Sequence, residues 1–449
     1  MVGRSLELAT QAFIYGYPLV YDLTEVTSQV TAPKVTFTAP VNMFGVGREL
    51  AGPADEFVSL NNDTVYAMAH VDVTNEPQVL HLPDTHDRYY VMQFVDAWSN
   101  NFAYVGRRAT GTAEQWWLLA GPDWEGTVPD GMGLITAPTN VFSIVGRFAV
   151  NGNDDLPAVF ALEDDTWLTP LSLYPSRPDT TARAFGDFDV APYDRDVPED
   201  IVWWEKFRAW SQLFPAANPA ELDPFASFGI LESTSPYHDV DPELRAILVQ
   251  AQTDGFAAID RAAKGDPDAP PVGWQSALHL FDYNTTSFQV GTIDVDEWKI
   301  ADLPTATMVR AIAAYGGLWG NHGYEAAYLW TFTDEEGQLL IGEHAYTVHF
   351  DEVPPVDAFW SMTMYDDEKF YLVENPIDRY SIGDRTAGLR YNDDGSLDLF
   401  IQASDPGGER SANWLPCPAG GFRPLIRMYQ PGASVLDGSY ALPPFVRVK

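Results

Sequence analysis

Cysteine is almost missing from this chain: Cys417 stands alone in 449 residues, which excludes an internal disulfide and any cysteine cage for a metal. Its neighbours Pro416 and Pro418 point to a structural loop rather than a reactive thiol. Lysine is scarce too, present at Lys34, Lys206, Lys264, Lys299, Lys369 and Lys449, with arginine supplying the other cations. No uninterrupted apolar run reaches about 18 residues, so no membrane-spanning helix is expected. Several signatures of common chemistry are absent as well. Gly106 to Gly111 is too sparse for a dinucleotide loop, no Gly-rich turn ends in Lys-Ser or Lys-Thr, and no Gly-x-Ser-x-Gly elbow occurs. Nicotinamide redox, phosphoryl transfer and α/β-hydrolase chemistry are therefore disfavoured.

What abounds is negative charge. Asp and Glu number 64 against 26 Lys and Arg, a formal net charge of -38. Like charges at this density repel one another and weaken the compact state unless salt screens them. The screening length falls from about 10 Å at 0.1 M salt to about 3 Å at 1 M, so the composition predicts a protein adapted to a salty cytoplasm. Such a surface repels phosphate backbones and anionic lipid heads, and neither nucleic acid nor a membrane is expected as partner. The start, Met-Val-Gly-Arg-Ser-Leu-Glu, carries no secretion leader and predicts a cytoplasmic chain; a secreted form trimmed of its leader would read the same way. Hydrophobic residues at 46% and aromatics at 13% suffice for packed cores.

Patterning divides the chain into four parts. Residues 1–34 hold an N-terminal helix, Leu6 to Thr27, with Ser5 as N-cap and a kink or break near Tyr17 caused by Gly16 and Pro18. Residues 35–195 carry short runs rich in Val, Tyr, Phe and Thr between turn residues, which predicts strands at Thr64–Val73, Gln78–Leu82, Tyr89–Val95, Phe102–Val105, Trp116–Leu119 and Val141–Val150. Residues 196–320 turn helical, over Glu199–Leu213, Pro242–Ala263 (Asp241 as N-cap) and Thr305–Leu318, with Gly265–Pro271 as a linker. Residues 321–449 return to strand and turn, clearest at Ala345–Phe350, Ala358–Tyr365, Leu397–Gln402 and Pro424–Tyr429. The expected fold is mainly β (α+β): two antiparallel β-sandwich or jelly-roll-like domains, an N-terminal helix and a helical insert. No short-period repeat is visible, though the two sheet halves could be related folds.

Three stretches of the first half, Gln11 to Leu19, Asn61 to Tyr66 and Arg88 to Asp96, resemble the N-terminal half of a two-domain family. In the second half, Asn321 to Tyr328, Tyr346 to Phe350, Ala358 to Asp366, Asn375 to Arg385, Asn413 to Pro418 and Arg427 to Tyr429 resemble its partner domain. The two halves are the domains of unknown function 1254 and 1214. The resemblance implies a pair of β-sandwiches with accessory helices and brings no established reaction with it. Many relatives begin with a secretion signal, unlike this chain.

Candidate chemistry gathers in the first half. Asn61, Asn62, Asp63 and Tyr66 form a polar turn feeding a strand, which suits either ligand contact or an Asx turn. Strand alternation places Arg88, Tyr90, Met92, Phe94 and Asp96 on one face and Tyr89, Val91, Gln93 and Val95 on the other. Aromatics beside an Arg and an Asp would stack on and hydrogen-bond a sugar-like or amide ligand; the competing reading is a core strand with a structural ion pair. Trp98, Asn100 and Asn101 follow at the strand's end. The second half offers Glu325, His349, Trp360, Tyr365, Asp366, Asn375, Arg379, Tyr380 and Trp414. A carboxylate pair, Asp63 with Asp96 or Asp366 with Glu325, would supply acid and base for glycoside hydrolysis if the separation allowed it. Arg379 and Tyr380 after Asn375-Pro376 read as a polar lock on a loop or as ligand contacts.

The leading expectation is a hydrolase- or lyase-like enzyme on a polar small molecule or glycan, with Asp63, Asp96 and Arg88 catalytic. Asn61, Asn62, Tyr66, Tyr90, Trp98, Asn101, Trp360, Arg379 and Tyr380 would bind substrate, with neither metal nor cofactor expected. The alternative is a non-catalytic ligand-binding protein or a homo-oligomeric assembly.

Overall fold

In the computed structural model the described residues are 5–33, 37–55, 58–177, 184–186, 189–265, 272–276 and 278–448. Most of the linker expected at Gly265–Pro271 lies outside them. Helix α1 (Leu6–Thr31) opens the chain, and the Ser5 hydroxyl accepts a hydrogen bond from the Leu8 amide as its N-cap. The break expected at Tyr17 does not occur: the helix runs on with Pro18 inside it. Buried residues surround that turn on both sides, and Gly16 lies against the Phe207 ring, where a Cβ would clash. Packing of this kind outweighs the single backbone hydrogen bond that proline removes.

The first sandwich contains β1 (Gly45–Val46), β2 (Thr64–Asp72), β3 (Gln78–Leu82), β4 (Tyr90–Asp96), β5 (Asn101–Gly106), β6 (Gln115–Ala120), β7 (Gly133–Thr136), β8 (Val141–Ala149) and β9 (Trp167–Pro170). They form two sheets, ordered β1-β2-β8-β4-β5 and β7-β6-β3-β9. Val65, Ala67, Ala69 and Val71 of β2 alternate into the core between the sheets, where they meet Leu80, Leu119, Ile135 and Leu168 from the opposing layer. Each of the Val, Leu and Ile side chains, fully buried, contributes roughly 1.5–3 kcal/mol, and each Ala methyl less.

Helix α2 (Leu156–Asp164) lies between β8 and β9; helices α3 (Val202–Leu213), α4 (Pro242–Lys264) and α5 (Leu303–Gly317) follow, and the Asp241 carboxylate caps α4 through the Glu243 amide. Helix α1 packs against α3, α4 and α5, so the N-terminal segment and the insert build one helical layer. Trp204 and Trp210 lie in its core, their indole N–H groups donating to Leu248 O and Ala191 O.

The second sandwich comprises β10 (Gln275–Ser276), β11 (Ala326–Trp330), β12 (Tyr346–Phe350), β13 (Val356–Asp366), β14 (Ser381–Gly383), β15 (Leu397–Gln402), β16 (Trp414–Pro416), β17 (Phe422–Pro431) and β18 (Val446–Arg447), with the short α6 (Ala433–Leu436) after β17. Its sheets are ordered β10-β11-β17-β13-β14 and β16-β15-β12-β18. Among the described residues every strand of the first sandwich thus has a counterpart nine strands later, in the same sheet position. Even the parallel pair β6–β7 recurs as β15–β16. The relation between the halves, open at the level of sequence, is a shared topology. Strands β2, β8 and β4 turn their second face toward the corresponding face of β11, β17 and β13. There Tyr89 packs edge-on against Phe359 and Tyr429, and the helical layer covers the remainder.

Candidate functional site

The two facing sheets present matched residues. Tyr66 stands opposite Arg147 across β2 and β8, and Tyr328 stands opposite Arg427 across β11 and β17. The match extends to their hydrogen bonds. Arg147 donates to Gln93 Oε1 at 2.8 Å and to the Trp319 carbonyl at 2.9 Å. Arg427 donates to Thr363 Oγ1 at 2.9 Å and to the Ser59 carbonyl at 2.5 Å. Gln93 and Thr363 hold the same register position on β4 and β13, two residues beyond Val91 and Ser361. Ser59 and Trp319 are each two residues ahead of an asparagine whose amide Nδ2 donates to a tyrosine hydroxyl: Asn61 to Tyr66 at 2.8 Å, Asn321 to Tyr328 at 3.1 Å. Both residues whose carbonyls accept these bonds adopt left-handed backbone, with φ of 53° at Ser59 and 62° at Trp319. A left-handed non-glycine residue costs about 1–3 kcal/mol and tends to mark a functional site.

The carboxylates are exchanged between halves. Glu325 of the second half accepts from Tyr89 Oη at 3.0 Å and Arg108 Nε at 2.6 Å of the first. Asp63 of the first half accepts from the Ser361 and Ser381 hydroxyls of the second, and Arg385 Nη2 donates to the Asp63 carbonyl at 3.0 Å. Burial raises Glu325 above the usual carboxylate range, opposed by Arg108 and Tyr89.

Between these faces and the end of α5 lies a cavity of about 120 Å³. Its walls are mainly apolar, with Met68, Val145, Phe281, Leu318, Trp330 and Leu425 among them, and Arg147, Arg423 and Arg427 add three guanidiniums. All three are buried, at 7%, 5% and 3% exposure, and among the described residues none forms an ion pair with a carboxylate. Arg423 breaks the match, for its counterpart on β8 is Ser143: each is the register partner of the equivalent residue, Tyr365 on β13 and Val95 on β4. Arg423 Nη2 donates to Ser59 Oγ at 2.5 Å, its guanidinium stacks 3.9 Å from the centre of the Phe370 ring, and its Nε has no hydrogen-bond partner. Burial and the nearby Arg427 charge push Arg423 below the ordinary arginine range, against the pull of Tyr365 and Asp366. Phe370, also left-handed at φ 62°, accepts the Ser59 amide on its carbonyl at 2.9 Å.

Of the residues singled out in the sequence, Asn61 and Tyr66 line this cavity, and Asp63 sits beside it. Asp63 and Asp96 do not converge. Their ends of the sheet correspond to Ala149 and Phe142, seven residues along β8, or about 23 Å at strand rise. Glycosidase carboxylates lie about 5–9.5 Å apart, so these two form no such pair. Asp96 is a turn cap that accepts from the Trp98 and Asn100 amides, and Asp366 caps the equivalent turn through the Glu368, Lys369 and Tyr371 amides.

Arg88 is tied to Asp155 at 2.5 and 2.7 Å, a structural ion pair whose partner is not the Asp96 of its own strand. Strand alternation in β4 holds, but the face carrying Tyr90, Met92 and Phe94 is inside the sandwich core, with Tyr90 stacked on Phe148. The face that looks across to the second half is the other one, with Tyr89 and Gln93. Trp360, the register equivalent of Tyr90, is likewise core. Trp98 is buried and donates to the Phe214 carbonyl, Asn62 to the Ala51 carbonyl, and Asn101 to the Gly320 carbonyl. Arg379 holds the Ser411, Ala412 and Trp414 carbonyls as a loop lock, and Tyr380 donates to Asp378.

Sequence reading missed Arg147, Arg423, Arg427, Asn321 and Tyr328 as site residues. One signal was available: Tyr90-Val91-Met92-Gln93-Phe94-Val95-Asp96 and Trp360-Ser361-Met362-Thr363-Met364-Tyr365-Asp366 share an aromatic, a methionine and a closing aspartate at matching places.

A second cleft, lined by Arg88, Tyr89, Arg107, Phe359 and Arg385, opens at the far edge of the same interface. Its cations are already engaged by Asp155, Asp87 and backbone carbonyls.

Comparison with known proteins agrees with this architecture. The crystal structure of the VPA0106 protein from Vibrio parahaemolyticus is similar over 99% of this chain and 100% of its own, with a TM-score of 0.71 at 24% identity, a likeness of fold. An uncharacterised protein from Burkholderia cenocepacia aligns over 98% of this chain and 88% of its own, with a TM-score of 0.46 at 14% identity. No curated protein matches the sequence. The family model described as protein of unknown function (DUF1254) matches residues 41–170, and that described as protein of unknown function (DUF1214) matches residues 325–433. These segments cover the two matched sandwiches, and the chain belongs to the two-domain family that joins DUF1254 to DUF1214.

Proposed function

We propose that the protein binds a small molecule in the cavity between its two sandwiches, acting as a ligand-binding protein rather than a carboxylate-pair hydrolase. The observation that carries this reading is the gathering of Arg147, Arg423 and Arg427, buried without carboxylate partners among the described residues, around an otherwise apolar hollow. Buried charges without partners are costly to a fold, and convergent polar groups in an apolar pocket are the usual form of a ligand site. The left-handed backbone at Ser59, Trp319 and Phe370, all on the cavity wall, supports the same reading. Hydrolase or lyase chemistry finds no support in the placement of Asp63 and Asp96.

The test is a small-molecule screen read by thermal shift. A ligand at 100 times its Kd should stabilise the fold by about 2.7 kcal/mol, and Val145→Phe, which fills the hollow, should abolish that shift. Shifts that survive Val145→Phe, or a screen in which nothing binds, would overturn the reading.

The charge of -38 supports a salt-rich working environment. Raising KCl from about 0.1 M to about 1 M should raise the Tm as repulsion is screened. A Tm that does not move would remove the argument.

A further inference from the structure

The match between the halves shows which of the three guanidiniums is left over. Arg147 and Arg427 are equivalents, each satisfied by side chains (Gln93 and Asn321 for Arg147, Thr363 for Arg427) and one strained backbone carbonyl, and each bracing the segment that leads into a strand. They belong to the repeated framework. Arg423 has no equivalent, since Ser143 fills that position in the first half and is occupied there by His70 Nδ1 at 2.9 Å. Arg423 lines the cavity, is 5% exposed and has a single hydrogen bond among the described residues, through Nη2, while its Nε is enclosed without a partner. Its guanidinium and that of Arg427 converge on Ser59, one at the hydroxyl and one at the carbonyl, and both lie over the Tyr365 ring, at 5.4 and 5.7 Å. Two like charges drawn together at one wall of a largely apolar hollow, one of them with a single hydrogen bond among the described residues, form a receptor for an anion.

Resting on the ligand-binding reading above, we propose that the cavity takes a small monocarboxylate with a compact apolar body, its carboxylate anchored on Arg423. The size follows from the volume. A hollow of about 120 Å³ is close to the roughly 150 Å³ of an apolar cavity that accommodates benzene, so the body is one ring or a short branched chain. A carboxylate suits the planar fork of donors that a guanidinium offers, and a charged partner replaces the water that burial has removed from Arg423. The acidic exterior and this interior make opposite demands. The surface repels anions at long range, so the site discriminates by short-range fit under salt that screens the exterior.

The experiment uses the purified full chain at fixed high salt, with benzoate as the probe and benzamide as its neutral isostere, followed by calorimetry. Benzoate should bind at least ~30-fold more tightly than benzamide, the size expected of hydrogen bonds to a charged group. Arg423→Gln should remove that preference by weakening benzoate far more than benzamide, and Arg423→Lys should keep part of it. Circular dichroism and Tm of each variant establish that it is folded. If benzoate and benzamide bind equally, the anion assignment falls and the ligand-binding reading stands. Should benzoate be preferred in Arg423→Gln as strongly as in the parent, the anchor is not Arg423 and the proposal fails. If both probes and a wider set of neutral and anionic fragments all fail to bind, the ligand-binding reading itself is overturned and the proposal with it.

Discussion

The first and second half-sites are built on one plan, and the departure that matters most for binding lies at two neighbouring positions. In both, a tyrosine faces an arginine across a strand pair, an asparagine holds the tyrosine hydroxyl, and a left-handed residue two places earlier offers its carbonyl to the arginine. At the next inward positions of the first half, His70 bonds to Ser143 through Nδ1 and to Gln29 of α1 through Nε2, so that both ring nitrogens are engaged. In the second half Phe332 and Arg423 take those places, and Arg423 ends with an unused donor. Repetition of a fold supplies a symmetric framework, and one substitution within it produces a surplus of binding capacity. The difference separates what stabilises the interface from what is free to recognise something else.

The largest test of that separation is stability. Arg147→Met and Arg427→Met each strand a strained carbonyl in a buried interface and should each cost about 3 kcal/mol in chemical denaturation. Arg423→Met should cost under about 1 kcal/mol or stabilise, because it removes a buried charge with one hydrogen bond. Equal losses at all three would erase the distinction between framework and surplus.

Next comes pH. Burial pushes His70 down to about 3, so the folded protein keeps it neutral while the unfolded chain titrates near 6.5. A folded value below the unfolded one means that stability is intact above about pH 6.5 and is lost as pH falls from there toward 3, by a few kcal/mol. His70→Gln should flatten that part of the stability–pH curve, which Phe332 in the other half cannot influence. An unchanged slope would show that the acid-sensitive group lies elsewhere.

The smallest effect concerns the two asparagines. Asn61 also accepts from the Asp63 and Thr64 amides and the Thr64 hydroxyl, whereas Asn321 has fewer bonds. Asn61→Ala should therefore cost about 2 kcal/mol and Asn321→Ala about 1 kcal/mol by the same denaturation assay. The reverse order would mean that the turn at Asn61 is not what orients Tyr66.

Much of the fold was legible in the sequence because local patterns decide local structure. Alternation located β2, β3, β4, β8 and β15 within a residue or two, and Ser5 and Asp241 marked their helices as caps. Pro18 misled, since the burial that carries α1 through it comes from α3 and α4, distant in sequence. For the site, the period of β4 was read correctly and the wrong face was chosen. Periodicity of two separates two sets of residues but does not say which set looks into the sandwich and which looks across to another domain. Asp96 and Arg88 drew attention as charged residues near aromatics, and both proved to be consumed locally, by a turn and by Asp155.

By itself the sequence determined the alternation of sheet and helix, the acidic exterior, the absence of disulfide chemistry and membership of a two-domain family, all of which depend on residue type and near neighbours. Only the tertiary structure decided that the halves repeat one topology, that Asp63 and Glu325 are gripped across the boundary between them, and that Arg423 is left with a free donor. Those properties arise from contacts between segments up to about 370 residues apart, such as Ser59 with Arg427, and no periodicity in a single segment encodes which distant partner will satisfy a buried group.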